Sequence, residues 1–401
     1  MSKRVRSTLA LLAVLVLVNA RPAHAQTETV LYSFCSSANC ADGSQPQSRL
    51  TSDGKGNFYG TTHGGGAGYG TVFELSPNGS GGWNETVIYS FTGGADGANP
   101  YSSYVMFDSI GNLYGTTYAG GAYGYGVVFE LSPEEVGWAE NVLYSFTNTP
   151  DGAYPVSGLL MDSAGNLYGS TFEGGYLSDG AVFELSPSGG GWQEKVIYAF
   201  DNTAGYCAPS GLTMDAAGNI FGTTFSLVVE LSPTNGLWNG TAIYNYAGTF
   251  SPSDTLVLDQ AGNLYGTNPY GGGPNAGIVF MLSTRPKVRR GRTVYPTKTL
   301  YVFRPRAHGV KDGSHPSSGI VFDAAGNIYG TTASGGTYGQ GTVFELMPVN
   351  GKYQEKILWN FNGTDGAQPS GSLALDRAGN LYGTTSSGGS SGVGVVFEVT
   401  P

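Results

Sequence analysis

The stretch Ser157–Phe200, SGLLMDSAGNLYGSTFEGGYLSDGAVFELSPSGGGWQEKVIYAF, decides the fold. Alternating apolar and polar residues, interrupted by Gly, Asn, Asp and Ser clusters, predict four short β-strands: SGLLMD (157–162), NLYGST (166–171), GAVFELSP (180–187) and WQEKVIYAF (192–200). The same sentence recurs along the chain. Its marker G-N-[LFI]-[YF]-G places Asn at 57, 112, 166, 219, 263, 327 and 380, with spacings of 55, 54, 53, 44, 64 and 53. A period near 54 with four strands per unit is that of a β-propeller blade. The expectation is an all-β, seven-bladed β-propeller of four antiparallel strands per blade. The composition agrees, with 65 Gly and 26 Tyr but only 12% charged residues, which suits short strands and tight turns rather than helices.

The last unit stops at VVFEVTP (395–401), after its third strand, while the text of a fourth strand, ETVLYSF (28–34), stands near the other end of the chain. The first full unit has ETVIYSF (85–91) at that place. The N-terminal strand is therefore expected to complete the last blade, closing the ring and removing two exposed edges. Residues 1–25 read differently. Lys3, Arg4 and Arg6 precede the apolar run 9–18, and Ala23-His24-Ala25 offers a cleavage site. This is the pattern of a secretory signal peptide, and the run is too short to span a bilayer. The domain expectation is a signal at 1–25 and one propeller at 26–401 with a basic insertion at about 284–298. Loss of Lys3, Arg4, Arg6 and Arg21 takes the formal charge from −10 to −14, which disfavours nucleic acid as a partner. Export makes a disulfide between Cys35 and Cys40 the expectation, with Cys207 left over.

Units reading LYSF…DGxxPxxGL…DxxGNLYGTT…GG…GTVFELSP resemble the Gloeo-Verruco tandem repeat of secreted bacterial proteins, over essentially the whole chain after residue 25. That resemblance implies export and a propeller-like fold, and it brings no catalytic residue with it. The GL-xx-D-xx-GN-[LI]-Y portion is also similar, generically, to blades of NHL and gluconolactonase-type propellers.

An Asp stands four residues before every marker Asn (53, 108, 162, 215, 259, 323 and 376). Turn capping by the Asp side chain, with Gly supplying a positive φ, accounts for all seven without a metal. No cofactor is expected. Calcium held by loop Asp residues lacks the D-x-[DN]-x-[DN]-G pattern, and no His or Cys grouping suits a metal. No catalytic residue is assigned. A second set of Asp residues opens a D-G-x-x-P loop at 42, 96, 151, 312 and 365, expected on the same face as the Gly-rich loops and their tyrosines. Rings beside carboxylates and amides suit a sugar.

The fourth unit lacks its Gly-rich loop, and the fifth lacks D-G-x-x-P. A ligand site is therefore expected beside that shortened region, with Asp151, Glu173, Tyr176, Asp179, Tyr206, Asp254 and Tyr270. Separately, nine of the fifteen Lys and Arg after residue 25 fall between 285 and 311. Of these Arg285, Lys287, Arg289, Arg290 and Arg292 form a basic patch on the face opposite the acidic loops, which reads either as a solvated hairpin tip or as a dock for an anionic cell-surface polymer or another molecule's acidic face.

These readings add up to a secreted or periplasmic monomeric binding module for carbohydrate or another cell-surface component. After signal cleavage it would have no membrane span. An exported hydrolase or lyase acting on polysaccharide and a purely structural surface protein are the alternatives.

Overall fold

The computed structural model describes residues 26–100, 104–201, 209–246, 255–273, 275–304, 312–316 and 318–401. The expected signal segment, Tyr206, Cys207 and Asp254 lie outside them. Seven small antiparallel sheets form a seven-bladed β-propeller. Blade 3, built from the quoted stretch, contains Leu160–Met161, Leu167–Glu173, Ala181–Ser188 and Gly191–Ala199, with Ala153–Pro155 paired to the far end of the second strand. The ring closes as the repeats imply. Thr27–Ser33 lies antiparallel to Val395–Thr400, from Thr27 opposite Thr400 to Ser33 opposite Val395.

The first strand is shorter than the expected 157–162. The Ser157 hydroxyl accepts the Ser170 amide at 2.8 Å, and Ser48 does the same for Thr61 at 2.9 Å in blade 1. A side chain thus stands in for the ladder where the chain leaves Pro-x-Ser, and regular pairing resumes only at Leu160 in blade 3 and Thr51 in blade 1.

Every fourth strand carries a bulge at the same place, for example between Val142 and Tyr144. The extra residue is buried in five blades (Leu31, Leu143, Ile197, Ile243 and Leu358) and partly buried in the other two (Ile88 and Leu300). The bulge twists the outer strand and re-aims its last residues, so that the Tyr and Phe of the Y-x-F ending reach the neighbouring blade. Phe34, Phe91, Phe146, Phe303 and Phe361 meet Phe73, Phe129, Phe183, Phe344 and Phe397 of the next blade edge-on, at 5.0–5.2 Å. Such pairs add about 0.5–1.5 kcal/mol each to the burial of the rings. Beneath the Phe73 ring lies Gly60 of N-F-Y-G, where a Cβ would come within 2.6 Å of the ring. Close packing therefore demands glycine there. The core is accordingly a ring of apolar clusters between blades rather than one central mass.

Candidate functional site

The seven turn Asp residues act as turn caps. In blade 3, Asp162 Oδ1 accepts the amides of Ala164 and Asn166, and Oδ2 accepts Asn166 Nδ2 at 2.8 Å and the Tyr168 hydroxyl at 3.1 Å. Gly165 takes φ +83°. Burial pushes this carboxyl up, but the hydrogen bonds from Asn166, Ala164 and Tyr168 outweigh it and hold it below its ordinary value.

The D-G-x-x-P Asp residues have a role that the sequence reading missed. Asp151, expected at a ligand, is 3% exposed. Its Oδ2 accepts the Tyr144 hydroxyl at 2.6 Å and the Thr147 amide at 3.0 Å, and its Oδ1 accepts the Thr147 hydroxyl at 2.6 Å. Both oxygens are committed within the protein, so Asp151 holds the loop rather than facing a ligand. The arrangement repeats. The aromatic residue just after the bulge reaches the loop Asp through Tyr32 to Asp42, Tyr89 to Asp96, Tyr301 to Asp312 and Trp359 to Asp365.

A third member joins from the next blade's outer strand. Burial, and then the negative charge of the neighbouring Asp, push Glu28 (beside Asp365), Glu194 (Asp151) and Glu355 (Asp312) up to about 8. The same causes push Glu85 (Asp42) and Glu140 (Asp96) up to about 7. The Oε1 atom of each of these five Glu residues is buried without a hydrogen-bond partner. Burial and the adjacent negative charge thus both favour the protonated form of these five Glu side chains. At the two remaining junctions the sequence drops both acids together. No D-G-x-x-P Asp precedes blades 4 and 5, and Gly240 and Thr297 replace the Glu. A Cβ at 240 would run into the Tyr198 ring, so glycine at 240 makes room for that ring.

With those carboxylates assigned to structure, the large exposed side chains of the Gly-rich loops are mostly aromatic. Tyr69, Tyr123, Tyr176, Phe225, Tyr270 and Tyr338 are the exposed aromatic residues among those described, and all six lie on loops between second and third strands, at one face of the ring. Tyr176, 68% exposed, sits with Leu177 at the tip of a loop whose neck is bridged between Gly174 and Asp179. Glu173 ends the strand entering that neck and is exposed. Blades 2 and 3 add a cluster beside it. The Tyr118 and Tyr154 rings stack at 4.9 Å and 21°, with Tyr125 edge-on to Tyr154 at 5.8 Å. Ala153 pairs with Glu173 and Pro155 with Thr171, which sets Tyr154 one strand spacing from the strand that leads to the Tyr176 loop. Tyr270 stands on blade 5, edge-on to His315 at 5.2 Å, with blade 4 between it and the Tyr176 loop.

The shared position of Gln45, Asn99, Tyr154, His315 and Gln368 held the missed signal. Each is the residue before Pro in D-G-x-x-P, each is left-handed (φ +53 to +58°), and its amide bonds a carbonyl of the preceding blade. Tyr154 alone places a phenol ring there. In blade 4 the Gly-rich loop is replaced by a tight turn, with the Thr224 amide bonded to the Leu227 carbonyl at 2.8 Å and Phe225 at its tip. The cysteine sulfurs of Cys35 and Cys40 are bonded to each other. The basic residues Arg285, Lys287, Arg289, Arg290 and Arg292 are exposed at the opposite end, on and beside a hairpin of Lys287–Arg289 and Arg292–Val294.

The family model of the Gloeobacter/Verrucomicrobia repeat matches residues 18–228 and 293–401. The unmatched stretch holds most of blade 5 and the entry to the basic hairpin. Among solved structures, the chain is similar to the extracellular domain of a putative one-component system from B. thetaiotaomicron (13% identity, TM-score 0.54), covering 89% of this chain and 40% of that one. The extracellular domain of a putative hybrid two-component system from the same organism is similar at 12% identity and TM-score 0.54, with 94% and 42% covered. The chain thus spans about two-fifths of the length of these two proteins. A putative 6-phosphogluconolactonase from Bacteroides uniformis matches at 15% identity and TM-score 0.49, covering 78% of this chain and 84% of that one. At these identities the likeness establishes the fold alone. No curated protein matches the sequence.

Proposed function

The chain belongs to the Gloeobacter/Verrucomicrobia repeat family, and from that premise we propose that it is an exported binding module whose aromatic face takes carbohydrate. One observation carries the reading: all six exposed aromatic residues among those described share one face, set in loops of Gly, Ser and Thr. Sugar rings present C–H faces that stack on phenol rings and hydroxyls that bond amides and side-chain oxygens, so an aromatic surface in a polar rim suits them. The binding centre we assign is the blade 2–3 junction, with Tyr118, Tyr125 and Tyr154 as the stacking group and Glu173, Tyr176 and Asp179 beside it.

Export is supported by the N-terminal signal pattern and by the Cys35–Cys40 disulfide, which suits an oxidising compartment. Among the described residues no helix is long and apolar enough to cross a membrane. A glycan microarray probed with the purified protein tests the proposal. Discrete hits should disappear with Tyr154→Ala and Tyr176→Ala while the fold is kept. An array without hits, or hits indifferent to both substitutions, would refute the reading.

A further inference from the structure

Blades 4 and 6 pass from third to fourth strand through Asn235-Gly236 and Asn350-Gly351, both residues of each pair at positive φ (53° and 80°, 50° and 77°). These two-residue hairpin loops favour Asn-Gly because Asn tolerates the left-handed region. Blade 5 extends the same turn into a hairpin of Lys287–Arg289 and Arg292–Val294, and its tip is Arg290-Gly291 at 50° and 74°. A long arginine thus occupies the strained position that Asn fills in two sister blades.

A second unfavourable feature sits beside it. Arg289 lies directly opposite Arg292, and Lys287 shares their face two residues away. Opposed like charges destabilise a strand pair. None of these cations makes an ion pair with another described residue, and every residue of both short strands is exposed. The hairpin therefore gains nothing from packing to offset its strain and repulsion, whereas an anion lying along the ribbon would relieve the repulsion.

We infer that the hairpin Lys287–Val294 docks an anionic polysaccharide bearing carboxylate or sulfate groups. Guanidinium forks match both groups in a bidentate manner. An acidic bilayer fits less well, because the hairpin carries no aromatic residue and its Val288 and Val294 are too few to make an inserting face. Duplex nucleic acid carries one charge per about 1.7 Å on a stiff rod that cannot curve away from the acidic body, whereas a single polysaccharide chain is flexible and less densely charged. The hairpin stands at the opposite end of the blades from the aromatic loops, so this site is separate from the one proposed above.

The test is fluorescence anisotropy with labelled polygalacturonate, dextran sulfate, neutral dextran and a DNA duplex, with anionic phospholipid vesicles as a competitor, at about 20 and about 200 mM salt. Binding to an anionic chain should weaken several-fold at the higher salt and fall about tenfold or more in the R289S/R290N/R292S variant. Neutral dextran should not depend on the hairpin. The variant's melting temperature should hold or rise, since Asn suits position 290, which separates lost docking from lost folding. Tyr154→Ala/Tyr176→Ala should leave anionic binding intact, so failure of the aromatic-face reading remains distinguishable. Salt-insensitive binding, unchanged binding by the arginine variant, or preference for anionic phospholipid vesicles or duplex DNA would overturn the inference.

Discussion

Raising the pH should loosen the ring at five of its seven junctions. Burial and the neighbouring Asp push Glu28, Glu194 and Glu355 up to about 8 in the folded protein and Glu85 and Glu140 up to about 7, against 4.5 for an unperturbed Glu. Between pH 4.5 and those values the folded chain holds protons that the unfolded chain has released. Stability therefore falls as pH rises through that window and levels off above it. Each tenfold difference in proton affinity between the folded and unfolded chain is worth about 1.4 kcal/mol. These side chains are still partly open to water, so we reduce the contribution to about 1 kcal/mol per junction, or about 5 kcal/mol for five. A chain of this size melts with about 0.8 kcal/mol per degree, which makes the loss about 6 °C between pH 5 and pH 9. Differential scanning fluorimetry across that range reads it directly. The E28Q/E85Q/E140Q/E194Q/E355Q variant, which keeps the shape and removes the titration, should flatten the slope and be the more stable protein at pH 9. A wild-type melting temperature that rises between pH 5 and 9, or a variant that keeps the slope, would refute the reasoning.

Below pH 4 the opposite limb should appear. Asp162, Asp259 and Asp323 are held below their ordinary value by hydrogen bonds that outweigh burial, so their contribution is lost as pH falls through the folded values, visible as an acid drop in melting temperature. Phe34→Ala removes a fully buried ring packed on Phe73 at the closing junction. It should cost about 3–5 kcal/mol in urea denaturation, with wild-type stability refuting a closed ring. Tyr144→Phe deletes the 2.6 Å bond to Asp151 and should cost about 1.5–3 kcal/mol, whereas Tyr123→Phe, at an exposed ring, should be neutral in the same assay.

The sequence made the blades legible because each unit must pack against a near-copy of itself. The Phe of one Y-x-F ending needs the Phe and Gly of the next unit, and the chain repeats all three. Ring closure was legible for the same reason, since ETVLYSF near the start answers VVFEVTP at the end. The turn Asp residues could be read because their bonds are local, within four residues. The D-G-x-x-P Asp residues could not, because their partners are a Tyr brought close by a bulge and a Glu about 43 positions further on, as with Asp151 and Glu194. A carboxylate in a loop looked available to a ligand until the fold supplied those neighbours. The shortened first strand escaped for a related reason, a serine hydroxyl replacing ladder hydrogen bonds. For the candidate site, the Tyr176 loop stood out as a departure from the repeat, while the Tyr118–Tyr154 stack depends on two blades meeting.

The central claim is that the aromatic face holds a sugar, and a thermal-shift titration of the purified protein with soluble polysaccharides tests it most directly. A ligand at about 100 times its dissociation constant adds about 2.7 kcal/mol, or about 3 °C for a chain of this size. The account predicts such a shift with at least one neutral glycan, abolished by Tyr154→Ala/Tyr176→Ala and retained by R289S/R290N/R292S. No shift with any glycan, or a shift that survives loss of both tyrosines, would contradict it.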